Sequence, residues 1–210
     1  MTTVKETSRL ESFSDGVFGF AITLLVLDIH VPTVSEGQNL LNLLMADWPT
    51  YLSFLIGFFT ILICWINHHY MFDHIYKNNS KLLLLNGFKL LVVTFTPFAT
   101  ALLSKYINTP QQSTAVGVYA FNFALMGTAM FFIWLYAVRT DLMKHESEAL
   151  LKMITRYYFL ATAMSVTIFI LSFVNIWICL GFSGIMFGTF LFPEQMMAYA
   201  MRVLTRKINY

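Results

Sequence analysis

Long apolar runs separated by short polar connections make up almost the whole chain. A run of ~20 apolar residues is what a helix needs to cross ~30 Å of bilayer hydrocarbon. The runs predict six spanning helices: Ser8 to Ile29, Trp48 to Tyr76, Lys81 to Lys105, Ser113 to Val138, Leu150 to Phe173 and Asn175 to Phe192. In the first, only the stretch from Gly16 to Leu27 lies between acidic flanks, a core too short for lipid alone. The expected fold class is therefore all-α, a polytopic membrane protein with a transmembrane domain over residues 1–192 and a cytoplasmic or interfacial tail over residues 193–210. In that tail Met196, Met197, Ala200, Val203 and Leu204 fall at near-helical spacing against Arg202, Arg206 and Lys207. Such a segment lies along the membrane surface or extends the sixth helix.

Composition agrees with this pattern. The chain is 58% hydrophobic and 11% charged, with a mean hydropathy of +0.67, too little polar surface for a soluble domain of 210 residues. A net charge of +2, with no basic block interleaved with aromatics, excludes a nucleic-acid partner. Cys64 and Cys179 both fall in apolar runs, where a thiol packs as a small hydrophobe and implies no disulfide framework. Glu11 and Asp15 interrupt the polar N-terminus and no small-residue cleavage site follows, so this segment reads as mature protein.

The placement of charge says more than its sum. Lys5 and Arg9 precede the first helix, and Lys77 and Lys81 join the second and third. Arg139, Lys144, Lys152 and Arg156 join the fourth and fifth, and Arg202, Arg206 and Lys207 end the chain. Cytoplasmic loops retain Lys and Arg, so these positions define the inside and both termini are expected to be cytoplasmic. Lys105 lies in the opposite set of loops, and Lys89 lies within the third helix.

The chemistry-bearing residues are few. No nucleophile with a base partner, glycine-rich phosphate loop or HExxH-type motif is present, so neither an enzyme nor a cofactor is expected. His68, His69, Asp73 and His74 raise a metal-transport reading. Adjacent helical residues diverge by ~100°, however, and only His69 with Asp73 has the i, i+4 relation, so no metal site is expected. Thr114 to Tyr119 superficially resembles a carbonyl selectivity filter, but the second glycine is missing and the segment opens an apolar helix. Gly184 and Gly188, with Gly181 a turn earlier, permit close helix approach, read here as packing within the subunit. Ionisable residues inside a spanning helix are costly and face protein or a watery path, which singles out Arg9, Glu11 and Asp15.

The segment Arg9-Leu10-Glu11-Ser12-Phe13-Ser14-Asp15 resembles the Arg-x-x-x-Phe-Ser-Asp signature of the transmembrane protein 175 family, the lysosomal potassium channels and their bacterial relatives. Trp65-Ile66-Asn67-His68-His69 closing the second helix, and Asn86 followed by an apolar stretch to Pro97-Phe98, look like that family's pattern in the same order. The resemblance covers about the first half of the chain. It implies a potassium-favouring cation channel in which bacterial-type subunits carry one six-helix unit and four surround a pore lined by the first helix. A single copy of the Phe-Ser-Asp motif fits that homotetramer, located in the plasma membrane, in contact with lipid and passing monovalent cations.

Counting from the motif carries the family's constricting positions to Phe20, Leu24 and Leu27, which share one helical stripe. Four such stripes form apolar rings that gate by excluding water. Thr23 lies beside the stripe at a position the family links to selectivity. Phe20 departs from the smaller aliphatic residue usual at the narrowest ring, which implies low conductance or different gating. The resemblance places Arg9, Phe13, Ser14, Asp15, Trp65, His68 and His69 in a network that anchors the first helix. Asp15 points ~140° away from Phe20 and pairs, on this reading, with Arg9, Ser14 and one of the two histidines. The rival reading is a proton- or metal-coupled secondary transporter that uses Asp15 with His68 and His69.

Overall fold

The computed structural model describes residues 5–196 and residue 198. Expected positions in the tail beyond these, Met197, Ala200, Arg202, Val203, Leu204, Arg206 and Lys207, lie outside the described residues.

The chain is mostly helical. α1 (Ser8–Leu24) tightens into a 3₁₀ turn over Leu25–Asp28. α2 (Leu40–Ala46), α3 (Trp48–His74), α4 (Ser80–Tyr106), α5 (Gln112–Arg139), α6 (Glu148–Ser172) and α7 (Ile176–Phe190) follow. Five segments are long and apolar enough to cross a membrane: α1 with its 3₁₀ turn, α3, α4, α5 and α6. The sixth expected span is present as α7, but at 15 residues it is shorter than a full crossing. It is bounded at one end by Asn175, whose side chain caps the backbone N–H groups of Trp177 and Ile178, and at the other by the approach to Pro193. The short α2 was not expected from the hydrophobic pattern, and none of its residues is buried.

Two observations modify the all-α reading at one end of the bundle. β1 (Lys5–Glu6) pairs antiparallel with β2 (Lys77–Asn78), and Ile75 bridges Met143. The Lys144 N–H donates to the His74 carbonyl at 2.8 Å, and the Tyr76 N–H donates to the Leu142 carbonyl at 2.9 Å. The N-terminal segment, the α3–α4 connection and the α5–α6 connection therefore meet, and they bring the basic positions Lys77, Lys81, Arg139 and Lys144 to the same end.

Within the bundle, polar side chains join helices where lipid and packed protein offer no competing water. Asn67 on α3 is a hub. Its Nδ2 donates to the carbonyls of Ile63 and Phe190, its Oδ1 accepts from the Tyr157 hydroxyl at 2.7 Å, and its carbonyl accepts from Tyr158. Thr60 meets Tyr119 at 2.8 Å, Asn122 donates to Thr96, and Trp134 donates to Thr155. Gly127 lets α5 and α6 approach closely, since a Cβ there would lie 2.6 Å from the Ser165 hydroxyl. The glycines singled out on α7 do no such work. A Cβ at Gly181, Gly184 or Gly188 would meet nothing within 4 Å, which corrects the expectation of close packing there.

Asn67→Leu leaves the Tyr157 hydroxyl and the Phe190 carbonyl without their partners. It is expected to lower stability by about 1–2 kcal/mol in a denaturant titration of the purified protein. An unchanged midpoint would show that the hub contributes nothing to stability.

Candidate functional site

α1 has two unlike faces. Leu10, Ser14, Phe18, Ala21 and Leu25, spaced by three and four residues, form a buried back that packs on α3 and α4. The front is open. Phe13 and Phe20 are each 64% exposed and Leu27 is 68% exposed, and their seven-residue spacing aligns them after two turns. Thr23 is exposed beside this stripe and Leu24 is half-buried at its edge. A Cβ at Gly16 or Gly19 would meet nothing within 4 Å, so the front is also unobstructed. The 3₁₀ turn over Leu25–Asp28 stacks positions i and i+3 and so draws Leu27 toward the line of Leu24.

Thr23 is oriented by its own helix. Its hydroxyl donates to the Phe20 carbonyl at 2.8 Å, which uses its proton and leaves oxygen lone pairs for an outside partner. An oxygen so presented accepts from water or approaches a cation.

Three residues of α1, Ser14 and Phe18 on the back and Asp15 beside it, hold the helix to its neighbours. The Ser14 hydroxyl donates to the Leu10 carbonyl and accepts from Asn86 Nδ2 on α4 at 2.9 Å. The Phe18 ring lies under Lys89 Nζ, 4.4 Å from its centroid, and 5.5 Å from the His68 ring, which in turn lies 4.4 Å from Phe72. The Asp15 carboxylate accepts from the Trp65 indole N–H at 2.9 Å.

These placements divide the expected anchoring network in two. Ser14 and His68 are buried within the subunit, whereas Arg9, Phe13, Asp15 and His69 are exposed on it and Trp65 is half-buried. Neighbouring positions on a helix diverge by ~100°, so Ser14 and Asp15 cannot face the same partner. Asp15 meets Trp65, where a histidine had been expected, and His69 stacks on Trp65 at 5.9 Å. Among the described residues neither Arg9 nor Asp15 forms an ion pair, and neither ring nitrogen of His68 has a hydrogen-bond partner. Among the same residues no three His, Cys, Asp or Glu side chains gather. The pattern reading overlooked Phe18 and Lys89 as anchors and gave Asn86 no partner. The available signal was that Asn86 and Lys89, one turn apart, are polar positions in an apolar run.

The family described as endosomal/lysosomal potassium channel TMEM175 matches residues 9–97, the span that holds α1, α3 and most of α4. A potassium channel of Chamaesiphon minutus is 39% identical over 184 residues, covering 84% of this chain and 89% of that protein. The chain belongs to the TMEM175 family. The crystal structure of a lysosomal potassium-selective channel TMEM175 homolog from the same organism superposes with a TM-score of 0.80 at 37% identity, over 88% of this chain and 96% of that one. The endosomal/lysosomal proton channel TMEM175 of Gallus gallus is 32% identical over 150 residues, but this chain spans only 29% of its length. TMEM175 proteins are ion channels by name, and this chain is a multi-pass membrane protein of that family.

Trp65→Phe keeps the ring packing and removes the indole N–H, leaving the Asp15 carboxylate without its partner on α3. Hydrogen exchange at the α1 backbone is expected to rise several-fold around residues 12–18, in line with loss of about 1–2 kcal/mol of local protection. Unchanged exchange would show that the Asp15–Trp65 bond does not hold the helix.

Proposed function

We propose that the protein is a potassium-favouring cation channel in which α1 from each of four identical subunits lines a central pore. The observation that carries this reading is the open face of α1, an apolar stripe with one outward-presented threonine oxygen, on a helix whose other face is anchored to α3 and α4. Its spanning segment carries Arg9, Glu11 and Asp15, which suits a helix facing a narrow watery path. Four copies of Phe20, Leu24 and Leu27 make apolar rings that gate by excluding water, and Thr23 supplies oxygen to a partly dehydrated ion. The large Phe20 ring makes a low conductance the expected behaviour. Relatives named as potassium channels support the choice of ion.

In this reading α7 serves as the sixth span, its short length met by local thinning of the bilayer. Both termini and the basic connections face the cytoplasm, and the protein sits in the plasma membrane and needs no cofactor beyond the permeant ion. Coupled transport through Asp15 and the histidines has less support. Asp15 is exposed and bonded to Trp65, whereas His68 is buried against Phe18 and neither of its ring nitrogens has a hydrogen-bond partner among the described residues.

Planar bilayers with opposed potassium and sodium gradients test the channel directly. Wild-type current is expected to reverse near the potassium potential, Leu24→Asn to raise conductance several-fold, and Thr23→Ala to lower the potassium-to-sodium ratio. Silence of both wild type and Leu24→Asn in folded, tetrameric protein overturns the reading. The topology has its own test with a membrane-impermeant thiol reagent, since the native Cys64 and Cys179 are both buried. Asn108→Cys is expected to label in intact cells and His145→Cys only after permeabilisation. The reverse pattern would invert the assignment.

A further inference from the structure

Lys89 lies in the interior of α4, away from the loops at either end, and its surroundings are unusual. It stands nine residues, or about 14 Å, from the start of α4. It is fully buried at 0% exposure, and among the described residues its Nζ has no hydrogen-bond partner. Among the described residues no carboxylate lies within ion-pair distance of it. Its Nζ rests on the face of Phe18, the aromatic that seats α1 against the bundle. The titratable groups that face it are Asp15 from α1 and Cys64 and His68 from α3, and it forms a hydrogen bond with none of them. An apolar side chain of the same length would fill this space at less cost, so packing does not account for the amine.

We infer that Lys89 is a conductance-limiting residue, an amine held behind the pore helix whose positive charge, when it is protonated, lowers the number of cations the constriction holds. The inference rests on the reading of α1 as the pore helix. Phe18 and Phe20 are ~200° apart on α1, so a charge stacked on Phe18 stands directly behind the constriction, with one helix diameter of ~10 Å between them. The intervening material is packed protein of low dielectric, and salt screens a charge there far less than one at the surface. In a four-fold assembly, four such charges surround the pore at one level. They oppose cation entry most when potassium is scarce and least when the pore is already saturated.

Unitary conductance against potassium concentration, recorded at mildly acidic pH to keep the amine charged, tests this for Lys89→Met, Lys89→Gln and Lys89→Arg. The neutral variants are expected to conduct ~3-fold or more above wild type at low potassium and to converge with it at saturating potassium. Lys89→Arg is expected to stay at the wild-type level, and the potassium-to-sodium ratio to stay unchanged throughout. A purely structural role would not produce a difference that disappears with concentration or one restored by arginine. Wild-type conductance in the neutral variants at low potassium overturns the inference, as does a change of equal size at all concentrations. Loss of the folded tetramer in both neutral variants also overturns it, because the ammonium then serves assembly. If Thr23→Ala and Leu24→Asn alter conduction while Lys89→Met does not, only this inference fails. If all of them remain silent while folded, the pore reading itself fails and takes this inference with it.

Discussion

The hydrogen bond from Asn86 to Ser14, with Lys89 stacked on Phe18 one turn along, sets the rotation of α1 about its own axis. Everything proposed for the front of that helix depends on this docking of its back. A helix of mostly apolar residues in a bilayer has little to choose between its faces, because lipid is as apolar as the protein interior. A polar pair changes that balance, since each group left unpaired in hydrocarbon carries a penalty of about 1–3 kcal/mol. The Ser14 hydroxyl can accept from Asn86 Nδ2 in only one rotation. That rotation turns Phe13, Phe20, Thr23 and Leu27 outward.

The helices behind α1 act as the frame against which it is oriented. Their own order comes from the same kind of contact: Asn67 joins α3 to α6 and to the end of α7, Thr60 joins α3 to α5, Asn122 joins α5 to α4, and Trp134 joins α5 to α6. Gly127 adds close backbone approach where α5 meets α6. At the basic end, the β1–β2 pair and the contact between Ile75 and Met143 tie three chain segments together. A frame fixed at both the hydrogen-bonded interior and the loop end can hold one helix in a defined rotation while leaving half of its surface free. This is the arrangement a pore-lining element requires.

Several features were legible in the sequence because each belongs to one segment. Five of the six expected spans, their approximate ends, the clustering of basic loops and the Arg-x-x-x-Phe-Ser-Asp motif follow from run length, charge and residue order, and the family assignment agrees with the motif. The alignment of Phe20 with Leu27 also needed only the helical repeat. By contrast, the partner of Asp15, the burial of Lys89 against Phe18, the close approach at Gly127 in place of the α7 glycines, and the short α2 were decided in three dimensions. The physical reason is rotation. Each residue turns a helix by ~100°, and the face a helix presents to its neighbours is chosen by contacts from distant parts of the chain, which the local pattern of apolar and polar residues does not contain.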